Sequence, residues 1–409
     1  MASGNAPKSD RSGRVTTAEK SALRKFLNTI GNPPVSFSLW DGSDFYFSDS
    51  APVGRILIHD RKSFLNILLS PNLKFGDSYS AGSIDVEGDF IECLKALIQA
   101  VPRKIDMGII GRIQQFFPNA RSSSLSGSRD NIYRHYDIGN DFYKLWLDDE
   151  MVYTCGYYSS DSVTLQGAQL AKMEHVCRKL RLKPGDQVVE AGCGWGALAR
   201  HMARYYGVKV RAYNISHEQI RYAQERARAE GLDDRIEYVE DDYRNITGQY
   251  DVFVSVGMLE HVGSKNYITL GKVIDRCMKE NGRGLIHSVG RNSQEPIGEW
   301  VERRIFPGSY VPTLRQMMDV FEPSSFSILD VENLRLHYAR TLSDWLDRFD
   351  AVSDEVEKMY DASFVRAWRL YLGGCSASFS SGNLQLFQLL FACQHNNDIP
   401  WTRDYLYHD

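Results

Sequence analysis

The sequence predicts an α/β protein in which a mostly parallel β-sheet is covered by helices and is preceded by a small α+β domain. From residue 131 onward, short apolar segments with the character of strands alternate with amphipathic helical segments, which is the pattern of a parallel sheet. Before that point the pattern is mixed, with alternating apolar and polar residues followed by short helical runs. The length of 409 residues exceeds what one compact domain usually needs, so we expect at least two folded parts.

The composition is that of an ordinary globular protein, with 43% hydrophobic and 24% charged residues. The 48 Lys and Arg residues face 52 Asp and Glu residues, and this net charge of −4 argues against a nucleic-acid partner. No apolar run approaches the roughly 18 residues that a membrane-spanning helix requires, and the polar opening residues lack the apolar stretch of a signal peptide. The seven cysteines include no CxxC pair, so we predict no metal site and expect a reducing, cytoplasmic location.

The chain before the parallel sheet divides into three segments. The polar residues 1–20 are predicted to form a flexible tail, and residues 21–101 a small α+β domain. Within that domain, SFSLWDGSDFYFS and VGRILIHD have the alternation of strands, and LNILLS and FIECLKALIQA have the pattern of helices. Residues 102–130, which are interrupted by Gly, Pro and Ser, are predicted to be a linker to the sheet domain at 131–409.

The predicted linker is basic and amphipathic, and two interpretations of it remain open. Its apolar residues recur at helical spacing, and basic side chains outnumber acidic ones from Arg103 to Arg134. A segment of this kind can lie on an anionic bilayer surface. Alternatively, it is a connecting helix whose apolar side packs on the protein.

Five segments of the later domain have the pattern of sheet strands: residues 187–191, 208–214, 236–240, 250–257 and 284–289. The helical segments ALARHMARYY and HEQIRYAQERARAE follow the first and second of these strands. In sheets of this kind the ligand lies at the carboxyl ends of the strands, near the point where the strand order reverses. The loops that follow the strands are therefore where we look for a site.

The loop after the first strand, in VVEAGCGWGALA, is the strongest single motif. A dinucleotide-binding loop would read G-x-G-x-x-G and hold a pyrophosphate at the helix N-terminus. Here the glycines are Gly192, Gly194 and Gly196, so the third comes one residue earlier than in that pattern. The carboxylate of Glu190 precedes the loop. A carboxylate repels a pyrophosphate but attracts the cationic sulfonium and amino groups of S-adenosylmethionine. The motif therefore favours a class I S-adenosylmethionine-dependent methyltransferase with a Rossmann-like sheet over a plain structural turn.

Polar residues after the next strands fit the remainder of such a cofactor. Asp242 and Tyr243 follow the third strand, where an adenine edge and face would lie. The second strand ends in Asn214 instead of the acidic residue that usually binds the ribose hydroxyls, and its amide can still hydrogen-bond a hydroxyl, with Gln219 as a supplement. Glu260 and His261 come directly after the fourth strand, also at a carboxyl end.

Five motifs in order resemble those of the cyclopropane fatty-acid synthases and their mycolic-acid methyltransferase relatives. They are YRHYDIGNDFYKLWLDDEMVYTCGYY, AGCGWG, SVGMLEHVG, LIHSVG and LQLFQLLF, and the resemblance covers about residues 131–407. It identifies residues 131–409 as the catalytic domain. The preceding domain more loosely resembles the amino-terminal domain of the phospholipid-acting members, which implies association with lipid or substrate and favours a phospholipid substrate.

The resemblance also implies two sets of site residues. The first set is the cofactor pocket, which comprises Tyr153, Thr154, Glu190, Gly192, Gly194, Asn214, Ile215, Gln219, Asp242, Tyr243 and His261. The assignment of Tyr153, Thr154 and Ile215 rests on the resemblance alone. A bicarbonate ion that serves as the base in the family would be held by Cys155, Glu260, His287, Tyr338 and the backbone of Val289. The family commonly has isoleucine where this chain has Val289. A contact made through the backbone tolerates either side chain. Family members are often dimers, so a homodimer is expected.

The implied reaction explains why such residues are needed. Methyl transfer to an isolated cis alkene creates a carbocation, and loss of a proton from the new methyl group then closes a cyclopropane ring. The site needs an apolar, aromatic-lined channel and one small base near the methyl carbon. We expect the enzyme to act on a phospholipid bilayer from the cytoplasm, as a peripheral protein at the inner face of the membrane.

Two other functions remain open from the sequence. A methyl- or methylene-branching fatty acyl methyltransferase would share every motif quoted. A non-catalytic lipid-binding protein with a degenerate methyltransferase domain is disfavoured by the intact glycine loop, Glu260 and His287.

Overall fold

The computed structural model describes residues 13–102, 138–324 and 326–407. The predicted tail at 1–20 lies outside these residues up to residue 12, and the structure differs from the prediction at its end, because a helix begins at Thr17. The predicted basic linker at 102–130 lies outside the described residues from residue 103 onward. The described residues form two compact units, and the first joins residues 13–102 with Gly298–Ile305 and Phe349–Ser381. The second unit holds the remaining described residues. The first unit thus takes two segments from beyond residue 131, where the sequence placed one continuous domain.

The helices and strands are numbered in chain order over the described residues. The helices are α1 (Thr17–Thr29), α2 (Arg61–Leu69), α3 (Pro71–Ser80), α4 (Phe90–Ala100), α5 (Asn140–Lys144), α6 (Leu165–Leu180), α7 (Ala197–Tyr206), α8 (His217–Ala229), α9 (Leu259–Val262), α10 (Tyr267–Cys277), α11 (Glu299–Arg304), α12 (Leu314–Met317), α13 (Arg335–Ala351), α14 (Ser353–Met359) and α15 (Ala362–Ser380). The strands are β1 (Ser36–Ser38), β2 (Asp44–Phe45), β3 (Gly54–Ile58), β4 (Ile84–Gly88), β5 (Gln187–Ala191), β6 (Lys209–Asn214), β7 (Ile236–Glu240), β8 (Tyr250–Val256), β9 (Met278–Gly290), β10 (Ser327–Asn333) and β11 (Gln385–Ala392). Within the described ranges, no helix has the length and apolar character needed to cross a membrane.

The first unit contains a four-stranded sheet in the order β2-β1-β3-β4, together with helices α1–α4. The prediction of one strand in SFSLWDGSDFYFS is wrong, because the segment forms the two antiparallel strands β1 and β2. The chain reverses at Asp41 and Gly42, where Gly42 has a φ of 83° and its amide donates to the carbonyl of Leu39 (2.9 Å). Asp41 stabilises the turn by accepting from the amide of Ser43 (3.0 Å), so an Asp-Gly pair ends the run of alternating residues.

The second unit contains a seven-stranded sheet in the order β10-β11-β9-β8-β5-β6-β7. Its strands β5 to β9 pair in parallel, which confirms the predicted mostly parallel sheet. The order reverses between β5 and β8, since β6 and β7 continue on one side of β5 and β8 and β9 on the other. The loops that leave the carboxyl ends of β5 and β8 therefore meet at this switch point, where ligands bind in open α/β sheets.

The strand bounds from the sequence agree closely with the structure for the parallel strands. Two predicted strands, 187–191 and 236–240, have the predicted bounds, and β6 and β8 differ from the prediction by one residue at one end. The fifth predicted strand, 284–289, is the inner part of the longer β9. The sequence did not predict β10 or the antiparallel insertion of β11 between β10 and β9. All eight residues of β11 are buried, and an apolar run of that length does not by itself distinguish a strand from a buried helix.

Both faces of the larger sheet are packed against helices. Val188, Val210 and Leu285 belong to one buried cluster, whereas Val189 and Ile286 belong to another on the opposite face. Successive residues of one strand point to opposite faces, so the consecutive apolar residues of β5 and β9 are all required for packing. Buried polar side chains at the carboxyl ends of these strands have no such explanation and point to a site.

Candidate active site

The glycine loop between β5 and α7 follows the carboxyl end of the central strand. Gly192, Gly194 and Gly196 have φ angles of 84°, 54° and 79°, a region that favours glycine. A Cβ atom on Gly196 would strike the hydroxyl of Tyr238, so this glycine is needed for packing. A Cβ atom on Gly194 would meet no atom within 4 Å, so the backbone there borders open space that a ligand can enter.

Glu190 lies in β5 immediately before this loop and is almost fully buried, with 2% exposure. Its Oε2 atom is buried and has no hydrogen-bond partner among the described residues. Burial raises the pKa of this carboxyl group to about 7, and the charges of Lys172 and Arg200 oppose that rise. A buried carboxylate with an unsatisfied oxygen fits a cationic ligand, which would supply the missing partner.

Asn214 connects the second strand to the glycine loop. Its Nδ2 atom donates to the carbonyl of Gly194 (3.3 Å) and to Oε1 of Gln219 (2.7 Å). Its Oδ1 atom accepts from the amide of Ile215 (2.8 Å), at the start of α8. The amide of Asn214 is thus already engaged in holding the loop, and a ribose hydroxyl would have to share these groups or bind Gln219 instead.

Asp242 and Tyr243 lie beside Asn214, because the amide of the preceding residue, Asp241, donates to the carbonyl of Asn214 (3.0 Å). Asp242 accepts from Nε (2.7 Å) and Nη2 (2.9 Å) of Arg244, so both of its oxygens are engaged in a bidentate ion pair. Tyr243 is buried, and its hydroxyl has no hydrogen-bond partner among the described residues. Burial raises the pKa of Tyr243 to about 12, so its hydroxyl stays protonated and can donate to a ligand.

A second loop, residues 153–155, covers the carboxyl end of β8. The Cγ2 atom of Thr154 lies 3.1 Å from where a Cβ atom on Gly257 would be, and Gly257 directly follows β8. The Tyr153 ring packs at 5.2–5.5 Å from three further aromatic rings, those of Tyr143, Trp146 and Trp345. The rings of Tyr143, Trp146 and Trp345 are completely buried, so they form a rigid apolar support behind Tyr153, which is partly exposed.

Glu260 and His287 meet at the carboxyl ends of β8 and β9. The amide of Val289 donates to Oε1 of Glu260 (2.6 Å), and the carbonyl of His287 accepts from the amide of Gly257 (2.9 Å). The Oε2 atom of Glu260 is buried without a hydrogen-bond partner among the described residues. Nδ1 of His287 pairs with Nε2 of Gln388 (3.1 Å) on β11.

Cys155 and Tyr338 reach the same end of the sheet through Leu334, which precedes α13. The carbonyl of Leu334 lies 4.0 Å from the Cys155 sulfur and accepts from the amide of Tyr338 (3.1 Å). The amide of Leu334 donates to the carbonyl of Leu386 (2.8 Å), and Leu386 pairs with Val289 in the sheet. The structure therefore places all five predicted ligands of a bicarbonate ion at one edge of the fold. Their function stays a prediction.

Burial sets the protonation of these groups. It raises the pKa of the Cys155 thiol, so this group is not a thiolate nucleophile. It lowers the pKa of His287 to about 3 and that of His261 to about 4, so both imidazoles are neutral at physiological pH. It raises the pKa of Glu260 to about 7, against the effect of the hydrogen bond from the Val289 amide.

These residues fit a bicarbonate ion on one specific point. The buried and unpartnered Oε2 of Glu260 is an acceptor, and a bicarbonate ion has an O–H group to donate to it. The backbone amide of Val289 holds the other oxygen of Glu260, so the carboxylate is fixed in one orientation. A small ion with one donor and several acceptor oxygens matches this set.

The sequence did not predict three buried polar residues near the site. Gln169 and Lys172 on α6 contact Thr154, and Asp148 accepts from the backbone amides of Val152 (2.9 Å) and Glu150 (3.2 Å). The available signal was that polar residues recur in LQGAQLAKMEHVCRKL on the face that also carries apolar ones. The same pattern is typical of a helix whose polar residues face solvent. Only the packing of α6 shows that these polar residues are buried.

Comparison with known proteins gives matches that agree with one another. Residues 123–389 match the family model described as mycolic acid cyclopropane synthetase, and residues 22–107 match a domain of unknown function. The chain is 34% identical over 387 residues to a "Probable fatty acid methyltransferase" of Pseudomonas putida, covering 91% of this chain and 96% of that protein. It is 41% identical over 270 residues to a cyclopropane-fatty-acyl-phospholipid synthase of Escherichia coli, covering 66% of this chain and 69% of that protein.

Solved structures agree with these relatives. The fold resembles a mycolic acid cyclopropane synthase solved in complex with SAH and CTAB, with a TM-score of 0.62 and 26% identity. The match covers 64% of this chain and 98% of that one, so the solved protein corresponds to part of this chain only. A cyclopropane synthase from Mycobacterium tuberculosis matches with the same TM-score, 0.62, at 25% identity.

Proposed function

Given that the chain belongs to the mycolic acid cyclopropane synthetase family of S-adenosylmethionine-dependent methyltransferases, we propose that it forms cyclopropane rings in unsaturated phospholipid acyl chains. A methylene unit would pass from S-adenosylmethionine to a cis double bond of the acyl chain. The observation that carries this proposal is the buried Oε2 atom of Glu260, which lacks a hydrogen-bond partner among the described residues while the backbone amide of Val289 holds Oε1.

The reaction makes demands that these residues can meet. The bond from the methyl carbon to the sulfonium sulfur breaks while a carbon–carbon bond forms to the alkene, which leaves a carbocation on the acyl chain. A proton then leaves the new methyl group, and its electron pair closes the ring. The ring of Tyr153, which is partly exposed and is backed by the buried rings of Tyr143, Trp146 and Trp345, would stabilise the cation and help to exclude water.

The cofactor would be held between the glycine loop and the loop at 153–155. Glu190 would face the cationic end of S-adenosylmethionine, and the open space beside Gly194 would admit it. Tyr243, with a buried hydroxyl, would bound the adenine side. Asn214 stands where an acidic residue usually binds the ribose, and its amide already holds the glycine loop. Gln219 would therefore be the second polar group that binds the ribose hydroxyls.

The groups around Glu260 would hold a small base instead of acting as one. When bound there, a bicarbonate ion would supply the base that accepts the methyl proton. The amide of Val289 fixes Glu260, and the neutral His287 remains paired with Gln388. The protonated thiol of Cys155 would contribute a weak donor.

Two comparisons support a phospholipid substrate over a mycolic acid. A mycolic acid relative of Mycobacterium tuberculosis matches 62% of this chain although 93% of that relative is covered, so more than a third of this chain has no counterpart in it. The Escherichia coli relative, with the higher identity, is a phospholipid enzyme by its name. A bilayer with unsaturated acyl chains is accordingly the proposed partner, met at the inner face of the membrane by a peripheral homodimer.

A second candidate function is a methyl- or methylene-branching reaction on the same scaffold. The similarity to the Pseudomonas putida fatty acid methyltransferase, which extends over 91% of the chain, favours it. A tuberculostearic acid methyltransferase of Mycobacterium tuberculosis is also similar, at 31% identity over 77% of the chain. In this reaction a hydride shift would precede the loss of the proton.

One assay separates the candidates. The purified protein is incubated with vesicles of cis-unsaturated phospholipid and with S-adenosylmethionine whose methyl group is fully deuterated. A cyclopropane or a methylene branch retains all but one deuterium, and NMR of the extracted lipid distinguishes the ring from the branch. A methyl branch would keep the same two deuterium atoms and gain one hydrogen, and it would form only if a separate reductant were added. Absence of any labelled lipid would contradict both candidates.

A further inference from the structure

Lys172 is a buried charge within the candidate active site, and neither the predicted cofactor contacts nor the predicted bicarbonate ligands include it. It is 2% exposed and lies in the middle of α6. A lysine is almost never buried without a partner, because removing its charge from water is costly. Its position therefore needs an explanation.

Lys172 and Gln169 hold Thr154 at two atoms. Nζ of Lys172 donates to Oγ1 of Thr154 (3.0 Å), and Nε2 of Gln169 donates to the carbonyl oxygen of Thr154 (2.7 Å). Residues three apart on a helix share one face, so both side chains leave α6 in the same direction. One fixes the side chain of Thr154 and the other its backbone.

The same stretch of chain is held from its other side by α13. The amide of Gly156 donates to Oγ1 of Thr341 (3.0 Å), and the amide of Tyr158 donates to Nδ1 of His337 (2.9 Å). A Cβ atom on Gly156 would lie only 2.9 Å from that of Ala168 on α6, so the chain passes close to that helix. These contacts hold residues 153–158 between two helices.

The charge on Lys172 also affects the pKa of a carboxyl group in the candidate site. Burial lowers the pKa of Lys172 to about 8, and four groups that face it, Asp148, Cys155, Glu190 and Cys177, oppose that change. Lys172 in turn lowers the pKa of Glu190, which Arg200 also faces. The ammonium group thus favours the ionised form of the carboxyl group that would meet the cationic cofactor.

We propose that Lys172, with Gln169, is a positioning residue that clamps the loop at 153–155 against the methyl donor and places a positive charge near Glu190. The proposal rests on the proposed binding of S-adenosylmethionine at Glu190 and Thr154. It extends that function by assigning the support of the cofactor loop to α6. Lys172 does not touch the substrate and acts through Thr154 and Glu190.

The test compares cofactor binding in Lys172→Met with that in the wild-type protein, by calorimetry with S-adenosylmethionine and without lipid. Loss of a hydrogen bond to a charged group should weaken binding by about ten- to a hundred-fold. The decline of affinity toward acid pH should also move to higher pH, because the pKa of Glu190 rises when the positive charge is lost. A purely structural role would not move this pH dependence.

Three further variants keep the result interpretable. Thr154→Val removes the acceptor of Lys172 together with the contact that Thr154 itself would make to the cofactor, so it should weaken binding but leave the wild-type pH dependence, because the charge of Lys172 remains near Glu190. Lys172→Arg should retain the wild-type pH dependence. Lys179→Met is the matched control, since Lys179 is also buried on α6 but pairs with Glu332 (2.7 Å). It should lower the thermal stability and leave cofactor affinity in place.

Folded Lys172→Met with wild-type affinity and pH dependence would overturn the proposal. So would a folded Thr154→Val variant with wild-type affinity, or a Lys172→Arg variant whose pH dependence moves as that of Lys172→Met does. Because the readout needs no lipid, a wild-type protein that binds S-adenosylmethionine without forming cyclopropane lipid would contradict the proposed reaction alone.

Discussion

Replacing Glu260 by Gln separates a carboxylate that holds the base from a carboxylate that is the base. In the structure, Oε1 accepts from the amide of Val289 at 2.6 Å and Oε2 has no partner among the described residues. Glutamine keeps the first contact, because its carbonyl oxygen can also accept from that amide. It replaces the second oxygen by an amide group that donates, so a bound ion would lose one acceptor.

The magnitude follows from that single contact. Loss of one hydrogen bond that involves a charged group costs about 1.5–3 kcal/mol, which corresponds to a rate decrease of roughly ten- to a hundred-fold. Such a decrease should appear at limiting bicarbonate for Glu260→Gln. The milder variants Cys155→Ser and Tyr338→Phe should lose less activity, and added bicarbonate should restore part of it, since the remaining ligands still bind the ion.

The assay measures cyclopropane formation on vesicles of cis-unsaturated phospholipid, in buffer stripped of carbon dioxide and then titrated with bicarbonate. Circular dichroism and thermal unfolding of each variant serve as controls for folding. If Glu260 itself removes the proton, Glu260→Gln should be inactive at every bicarbonate concentration. A wild-type rate that does not change on bicarbonate depletion would refute the predicted bicarbonate site. It would indicate that Glu260 itself accepts the proton.

Four further outcomes are expected. Gly194→Asn should lower the affinity for S-adenosylmethionine, because the asparagine side chain would enter the open space beside residue 194. The fold should stay intact, since the φ of 54° at this position lies in a region that asparagine tolerates. Calorimetry and circular dichroism would measure the two effects, and unchanged affinity in the folded variant would contradict the assigned cofactor position. The affinity for S-adenosylmethionine should fall as the pH drops below about 7, since Glu190 then becomes protonated and neutral, and Glu190→Gln should remove this dependence in the same titration. Burial favours the protonated form of Glu190 in the folded, cofactor-free protein, so its contribution to stability is present at acid pH and is lost as the pH rises toward about 7. Neutralising Arg103, Lys104 and Arg112 together should weaken co-sedimentation with anionic liposomes and reduce its salt dependence; retained binding would assign the membrane contact to another surface.

Much of the fold followed from the sequence because its signals are local. The parallel strands β5 to β9 are short apolar segments bounded by polar loops, and both cores that cover them require that pattern. The positions of β10 and β11 did not follow, because antiparallel insertion of β11 depends on pairing with β9, which lies about a hundred residues earlier in the chain. In the first unit, the Asp41–Gly42 pair that makes the turn between β1 and β2 is a local signal in the sequence, and the prediction of a single strand overlooked it.

The site could be placed from the sequence more readily than its contacts. The glycine loop, Glu260 and His287 follow or end strands, so their position at the carboxyl edge is fixed by the order of the strands. That Asn214 is engaged by Gly194 and Gln219, and Asp242 by Arg244, depends on where the neighbouring loops lie. These engagements change what each residue can offer a ligand, and the roles assigned to them stay predictions.

The sequence by itself determined the class of fold, the family and the end of the sheet at which the chemistry takes place. These depend on residue spacing within single segments, which is written directly in the chain. The tertiary structure alone decided that Lys172 and Gln169, distant from the loops that carry the motifs, reach Thr154. It also decided which buried carboxylate oxygens lack a partner among the described residues. The physical reason is that burial and the pKa changes it causes depend on every element packed around a group, and no segment encodes its own surroundings.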